Sequence, residues 1–309
     1  MVETLQNIVD THIHFWQREN IYVPWLKGTK FDTDKSIEEY KEKVKPIGVK
    51  KGVYVEVDVD SRYGLVEGSW IHDYVQHYQQ QVNDQETKGF GGIGAVVAYA
   101  PVDQGKHVRP YLNLLQQLVG KDLLRGIRFI LQDSKRDPNR VITTEFIDGV
   151  NIVGEEYHLI FELVIDCHQC PQQFPPLIKL VSLCTKVTFV LDHMGKPPCY
   201  SKPGEKEFNE WENYIKELAS YPNVLCKVSG LITELEDIDI TADQLRPFIQ
   251  VARHYFGINR LMFGGDWPIC ELKSTWMQWV QVLNEIIKDW SLEDRNKLFV
   301  LNAEKCYKL

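Results

Sequence analysis

The chain has 309 residues, with 35 Lys and Arg against 43 Asp and Glu, a formal net charge of −8. An acidic surface is not drawn to polyanions, so neither nucleic acid nor an anionic membrane is an expected partner. Composition is 44% apolar and 25% charged, as in globular chains, and no run reaches the roughly 18 to 20 apolar residues that cross a bilayer.

Short β-rich apolar runs alternate with stretches of helical period. A strand is expected over 8–14, then a helix over 36–44. Strands over 51–57 and 92–100 follow, with helices over 70–81 and 110–119 after them. Strands over 124–131 and 158–165 pair with helices over 145–155 and 173–184. The last strands, 186–192, 224–229 and 261–264, are followed by helices over 208–219, 242–256 and 274–288. Eight strands separated by helices, several of them continuous apolar runs, indicate a parallel sheet covered on both faces. Count and length suit a single α/β (β/α)8 barrel spanning 1–309. An open doubly wound sheet would bring a Gly-rich turn after the first strand, and none is present. Residues 1–7 lack the plan of a signal peptide. Seven scattered cysteines, an odd number, read as reduced thiols, so a cytoplasmic setting is expected. Cys167 and Cys170 form a C-x-x-C with no second pair, which does not make a zinc ribbon.

In a barrel the chemistry sits at the carboxyl ends of the strands. The first strand ends Asp10-Thr11-His12-Ile13-His14. Alternation puts His12 and His14 on one face, with Ile8 and Asp10, pointing into the barrel. Two imidazoles there are half of a divalent-metal site, or simply two polar loop residues. The eighth strand runs out through Gly264-Gly265-Asp266, whose carboxylate could ligate a metal or take a proton from water, or cap the following helix. The sixth ends Leu191-Asp192-His193. His193 could be a ligand, an acid or a group that polarises a carbonyl, or could be satisfied by backbone. In a closed barrel these three ends converge on one mouth.

Four motifs, V-D-T-H-I-H-F-W, L-D-H-M-G-K-P, C-K-V-S-G-L-I-T-E and F-G-G-D-W-P, occur in this order along nearly the whole chain. Together the sequence resembles amidohydrolase-related proteins of the sugar-lactonase branch, which includes L-fuconolactonases, L-rhamnonolactonases and 2-pyrone-4,6-dicarboxylate lactonases. The resemblance implies hydrolysis of a sugar-acid lactone to the open aldonic acid. It makes Asp266 the base that activates water, with His12, His14 and His193 acting on the carbonyl. It implies at most one divalent ion, zinc before others, on His12, His14 and Asp266, and some relatives of this kind work without metal. Arg128, in a Gly126-Ile127-Arg128 segment like the family's G-V-R, is a candidate for substrate oxygens or an internal ion pair.

Where binuclear relatives carry a bridging lysine or glutamate, the fourth strand here reads Arg128-Phe129-Ile130, so a two-metal site is not expected. His168 follows the fifth strand and is a further substrate-binding candidate. Trp16 and Trp25 are candidates to wall the pocket with flat surfaces suited to a sugar ring, or to pack in loops. Glu56 could bind hydroxyls. Lys227 could pair with a carboxylate such as Glu234 and hold the lactone oxygen, or form a structural ion pair. The competing activity is a metal-dependent decarboxylase of an aromatic or muconate-type acid, because relatives with the same H-x-H remove CO2.

Overall fold

The computed structural model describes residues 8–81, 89–132, 135–235 and 240–309. Eight parallel strands stand in sequence order: β1 (Ile8–Ile13), β2 (Val49–Val55), β3 (Ile93–Tyr99), β4 (Leu124–Arg128), β5 (Ile160–Leu163), β6 (Phe189–Leu191), β7 (Val224–Val228) and β8 (Leu261–Phe263). Each pairs with the next. The chain leaving β8 closes the ring onto β1. His14 N–H donates to Trp267 O at 2.8 Å, and Asp266 N–H donates to His12 O at 2.8 Å. The fold is the expected (β/α)8 barrel.

The helices are α1 (Ile37–Val44), α2 (Gly64–Gln81), α3 (Val108–Val119), α4 (Thr144–Glu155), α5 (Phe174–Leu183), α6 (Lys206–Ala219), α7 (Ala242–Phe256) and α8 (Trp276–Ile286). Ser36, Thr143, Thr241 and Thr275 start four of them, each accepting a backbone N–H of the first turn. Helix α2 begins six residues earlier than its apolar period suggests. Gly64 and Gly68 weaken the helical signal there, yet both are needed for packing. A Cβ on Gly64 would lie 2.3 Å from the Tyr111 hydroxyl and 2.5 Å from the Tyr99 ring.

Two short helices, α9 (Leu292–Asn296) and α10 (Asn302–Tyr307), follow without any counterpart in the periodic reading. The second of them finishes the barrel floor. Tyr307 and Ala303 pack with Val9, Val53, Ala95, Val97, Val190 and Met262, the apolar layer inside the barrel.

Strand β1 does not alternate as expected. Its pairing with β2 shifts register between Asp10 and Ile13, a bulge that inserts one residue. Below the bulge Val9 faces the barrel interior, while Ile8 packs in the outer core and Asp10 reaches Tyr40 on α1 and Trp276 on α8. Above it His12 faces inward and Ile13 outward. The bulge therefore corrects the even-numbered inward face: His12 and His14 share a side, and Ile8 and Asp10 do not join them. All seven cysteines are free thiols. Among the described residues no helix is long and apolar enough to cross a membrane.

Candidate active site

Asp10 holds the two ends of the barrel seam together. Its carboxylate accepts the N–H of Gly265 at 2.7 Å and of His12 at 3.1 Å, the Trp276 indole at 2.8 Å and the Tyr40 hydroxyl at 2.8 Å. Burial pushes its pKa up while these donors oppose the rise. Only glycine suits position 265, where a Cβ would lie 2.3 Å from Asp10 Oδ2 and 2.1 Å from Trp276 Nε1. That contact sets His12 beside Asp266.

Above the apolar layer the barrel holds a layer of charge. Lys227 Nζ lies 2.7 Å from Glu162 Oε2, 3.0 Å from Asp192 Oδ1 and 3.2 Å from His12 Nδ1. The Tyr307 hydroxyl donates to Glu162 Oε1 at 2.6 Å. Arg128 Nε donates to Glu56 Oε1 at 2.6 Å, and its Nη1 is 3.4 Å from Asp192 Oδ2. All these side chains are buried. Burial disfavours a charge, and here each acid has a basic side chain beside it. Burial and the adjacent Asp192 raise Glu162 to about 7, against the pull of Lys227. Asp192 goes the other way, because Lys227 and His12 outweigh its desolvation.

The mouth lies on this layer. A cavity of about 320 Å³ is lined by His14, Trp25, Arg128, His193, Lys196 and Asp266, among others. Asp266 Oδ1 lies 3.7 Å from His14 Nε2 and 3.9 Å from His12 Nε2. The ring centroids of His12 and His193 are 4.4 Å apart. Burial depresses His12, helped by the Lys227 charge, and burial depresses His193. Asp266 stays ionised: burial raises it, but His193, His14 and Lys196 together bring it below the usual carboxylate range. Asp58, His193, Met194, Lys196 and Asp266 all have positive φ near the mouth. Left-handed backbone in non-glycine residues costs about 1 to 3 kcal/mol each and collects at functional sites.

Three of the mouth donors, His12, His193 and Asp266, stand close enough together to hold one divalent ion. His14 Nδ1 is 2.8 Å from Val55 O, a carbonyl that accepts its N–H and turns Nε2 toward the mouth. Ligand atoms on a tetrahedral zinc stand about 3.4 Å apart, given bonds of about 2.1 Å. The Asp266 separations to His14 and His12 are close to that, and His12, His193 and Asp266 form a buried three-donor group. A second group of His12, Glu162 and Asp192 is also close enough. The Lys227 ammonium already stands among those three, so this layer has its cation.

The expected site residues are distributed unequally. His14, His193, Asp266, Arg128 and Trp25 reach the cavity wall, and His12 lies directly beneath it. Trp16 does not reach it; the ring is buried against Trp25 and Phe31, with Nε1 donating to Thr33 O. Glu56 lies below the cavity on Arg128. Lys227 is a buried ion-pair partner of Glu162 and Asp192 instead of Glu234, which pairs with His168 at 3.1 Å. Strand β7 carries Lys227 into the barrel axis, whereas Glu234 and His168 stand on outer loops.

Lys196 and Ser229 escaped the sequence reading. Lys196 projects its charge into the cavity from a left-handed position five residues past β6, and Ser229 Oγ lies 2.9 Å from His193 Nδ1. The run Asp192-His193-Met194-Gly195-Lys196 carried the available signal for Lys196.

The amidohydrolase family profile matches residues 9–309, and the chain belongs to that family. It is 27% identical over 283 residues to an L-fucono-1,5-lactonase of Burkholderia ambifaria, covering 88% of this chain and 86% of that one. It is 22% identical over 338 residues to an L-rhamnono-gamma-lactonase of Scheffersomyces stipitis, covering 98% of each. An amidohydrolase of Burkholderia multivorans, solved with HEPES bound, is similar in fold with a TM-score of 0.80 at 24% identity, over 98% of this chain and 99% of that one. In a second crystal form that protein carries zinc, with a TM-score of 0.76.

Proposed function

Taking the chain as an amidohydrolase, we propose that it hydrolyses a sugar-acid lactone of the L-fucono- or L-rhamnonolactone type to the open aldonic acid. One observation carries this reading: the Asp266 carboxylate lies 3.7 Å from His14 Nε2 and 3.9 Å from His12 Nε2 at a cavity of about 320 Å³ in the barrel mouth. A carboxylate held among imidazoles at a cavity wall suits removal of a proton from water.

The lactone carbonyl lies over His193. With the Ser229 hydroxyl donating to Nδ1, that ring presents an Nε2–H to the carbonyl oxygen. Asp266 takes a proton from water as the water oxygen bonds to the carbonyl carbon. The tetrahedral intermediate carries its negative charge toward His193 and Lys196. Collapse breaks the bond from carbon to the ring oxygen, which leaves with the proton held by Asp266. The carboxylic acid so formed gives its proton to solvent, and the carboxylate faces the Lys196 ammonium and Arg128. His12, His14 and Asp266 would hold a single divalent ion, zinc being the best match to two imidazoles and a carboxylate, and it would add Lewis-acid polarisation of the carbonyl. His12 is placed by Asp192 and Lys227 from below, and Trp25 covers one side of the sugar.

The test is a pH-indicator assay on a panel of aldonolactones with and without chelator. Acid release from L-fucono- or L-rhamnonolactone supports the reading. Inertness toward the whole panel, with CO2 release from an aromatic acid, would replace it with the decarboxylase.

A further inference from the structure

The mouth has a second lobe. It has a volume of about 360 Å³ and shares Asp58, Ile130 and Gln132 with the reacting cavity, so the two are contiguous. Its walls come from the ends of β2, β3 and β4. Tyr99 and Phe129 stack on one another in its wall, centroids 6.0 Å apart and planes 25° apart. Arg140 lies 5.9 Å over the Phe129 ring and donates to the carbonyls of Ile130 and Leu131. Asp58, Asp103 and Arg136 complete the polar wall.

Among the described residues two carboxylates and two guanidinium groups line this lobe, a mixture that does not select an anion or a cation. Flat rings flanked by paired acceptors and donors are the means of holding a polyhydroxylated ring: apolar sugar faces lie on aromatics, and hydroxyls bond to carboxylates and arginines. The platform is rigid before any ligand arrives. Gly64 leaves the room that the Tyr99 ring fills, and Phe129 is wedged edge-on against Phe146 at 5.5 Å. Asp58 stands where the lobes join. Its N–H donates to Glu56 Oε2 at 2.7 Å, which holds its backbone at φ 54, and none of the hydrogen bonds or ion pairs among the described residues uses its carboxylate.

The first lobe is of a size for one sugar ring. We propose that the natural substrate is a sugar lactone bearing a second glycosyl unit, bound in the lobe formed by Tyr99, Phe129, Asp58 and Asp103. The inference rests on the lactonase reading of the mouth and adds the substrate class. Binding the second ring at a distance from the reacting carbon would hold the lactone in register and raise kcat/KM over a bare aldonolactone.

Calorimetric titration of the full chain with cellobionate, maltobionate and lactobionate, against gluconate, tests this without turnover. At least one disaccharide acid is expected to bind about tenfold more tightly than gluconate. That advantage is expected to shrink severalfold in Asp103→Asn, an exposed position, and in Tyr99→Ala. No advantage for any disaccharide acid, or one unchanged in both variants, overturns the proposal. The corresponding lactones are assayed in parallel. If bare lactones open and glycosylated ones do not, the second-ring proposal fails alone. If neither kind opens while the binding advantage stands, it is the lactonase reading that fails.

Discussion

Lys227 Nζ lies 2.7 Å from Glu162 Oε2, an ion pair in which neither side chain is exposed to solvent. It stands in the middle of the charged layer, with Asp192 and His12 as its other neighbours. Removing one partner of such a pair leaves the other charge uncompensated and costs about 3 to 5 kcal/mol. Lys227→Met is therefore expected to lower the unfolding free energy by about that amount in urea titration. Adding Glu162→Gln is expected to restore part of the loss, because the stranded carboxylate is gone. Additive losses in the double variant would contradict the pairing.

The donor geometry at the mouth predicts one ion per chain. After loading with zinc and exhaustive dialysis, elemental analysis is expected to give about one equivalent. His14→Gln is expected to weaken retention by at least about tenfold, since the imidazole 3.7 Å from Asp266 Oδ1 is lost. Two equivalents would mean that Lys227 does not occupy the lower cation position.

Glu67 gives the fold a pH dependence of its own. Its Oε1 accepts the Tyr54 hydroxyl at 2.8 Å and the Val57 N–H at 2.9 Å, while Oε2 is buried without a partner. Burial, and then the neighbouring Glu56, push its pKa from 4.5 up to about 8. A raised pKa means that the folded state holds a proton that the unfolded chain releases. The stabilisation is complete below pH of about 4.5 and is lost as pH rises through about 8. Glu67→Gln keeps the shape and removes the titration. Between pH 5 and 9, roughly the span around that shift, Tm of the parent is expected to fall more steeply than that of the variant. Parallel curves would show that Glu67 is ionised throughout.

Much of this architecture could be read from residue order. The eight apolar runs matched the barrel strands to within a few residues, because strands covered by helices are apolar on both faces. The converging ends of β1, β6 and β8 followed from barrel closure. The reading failed where a tertiary contact overrides a local pattern. A bulge in β1 turned Asp10 outward to hold Gly265, Tyr40 and Trp276, which no alternation rule reveals. Trp16 was drawn into packing with Trp25 and Phe31. Lys227 found its partners on β5 and β6, far apart in sequence, and Lys196 entered the cavity through a left-handed turn after β6. Helix α10 plugs the barrel floor with Tyr307, whose partners on the strands are far away in sequence.

The central claim is that Asp266 activates water against a lactone. Its most direct test is kcat for L-fucono- and L-rhamnonolactone opening by the parent and by Asp266→Asn, followed by pH indicator, with circular dichroism to confirm the fold. The account predicts acid release by the parent and a loss of about 10² to 10⁴ in kcat in a folded variant, the range for a general base. Lactone opening that survives intact in Asp266→Asn would contradict it.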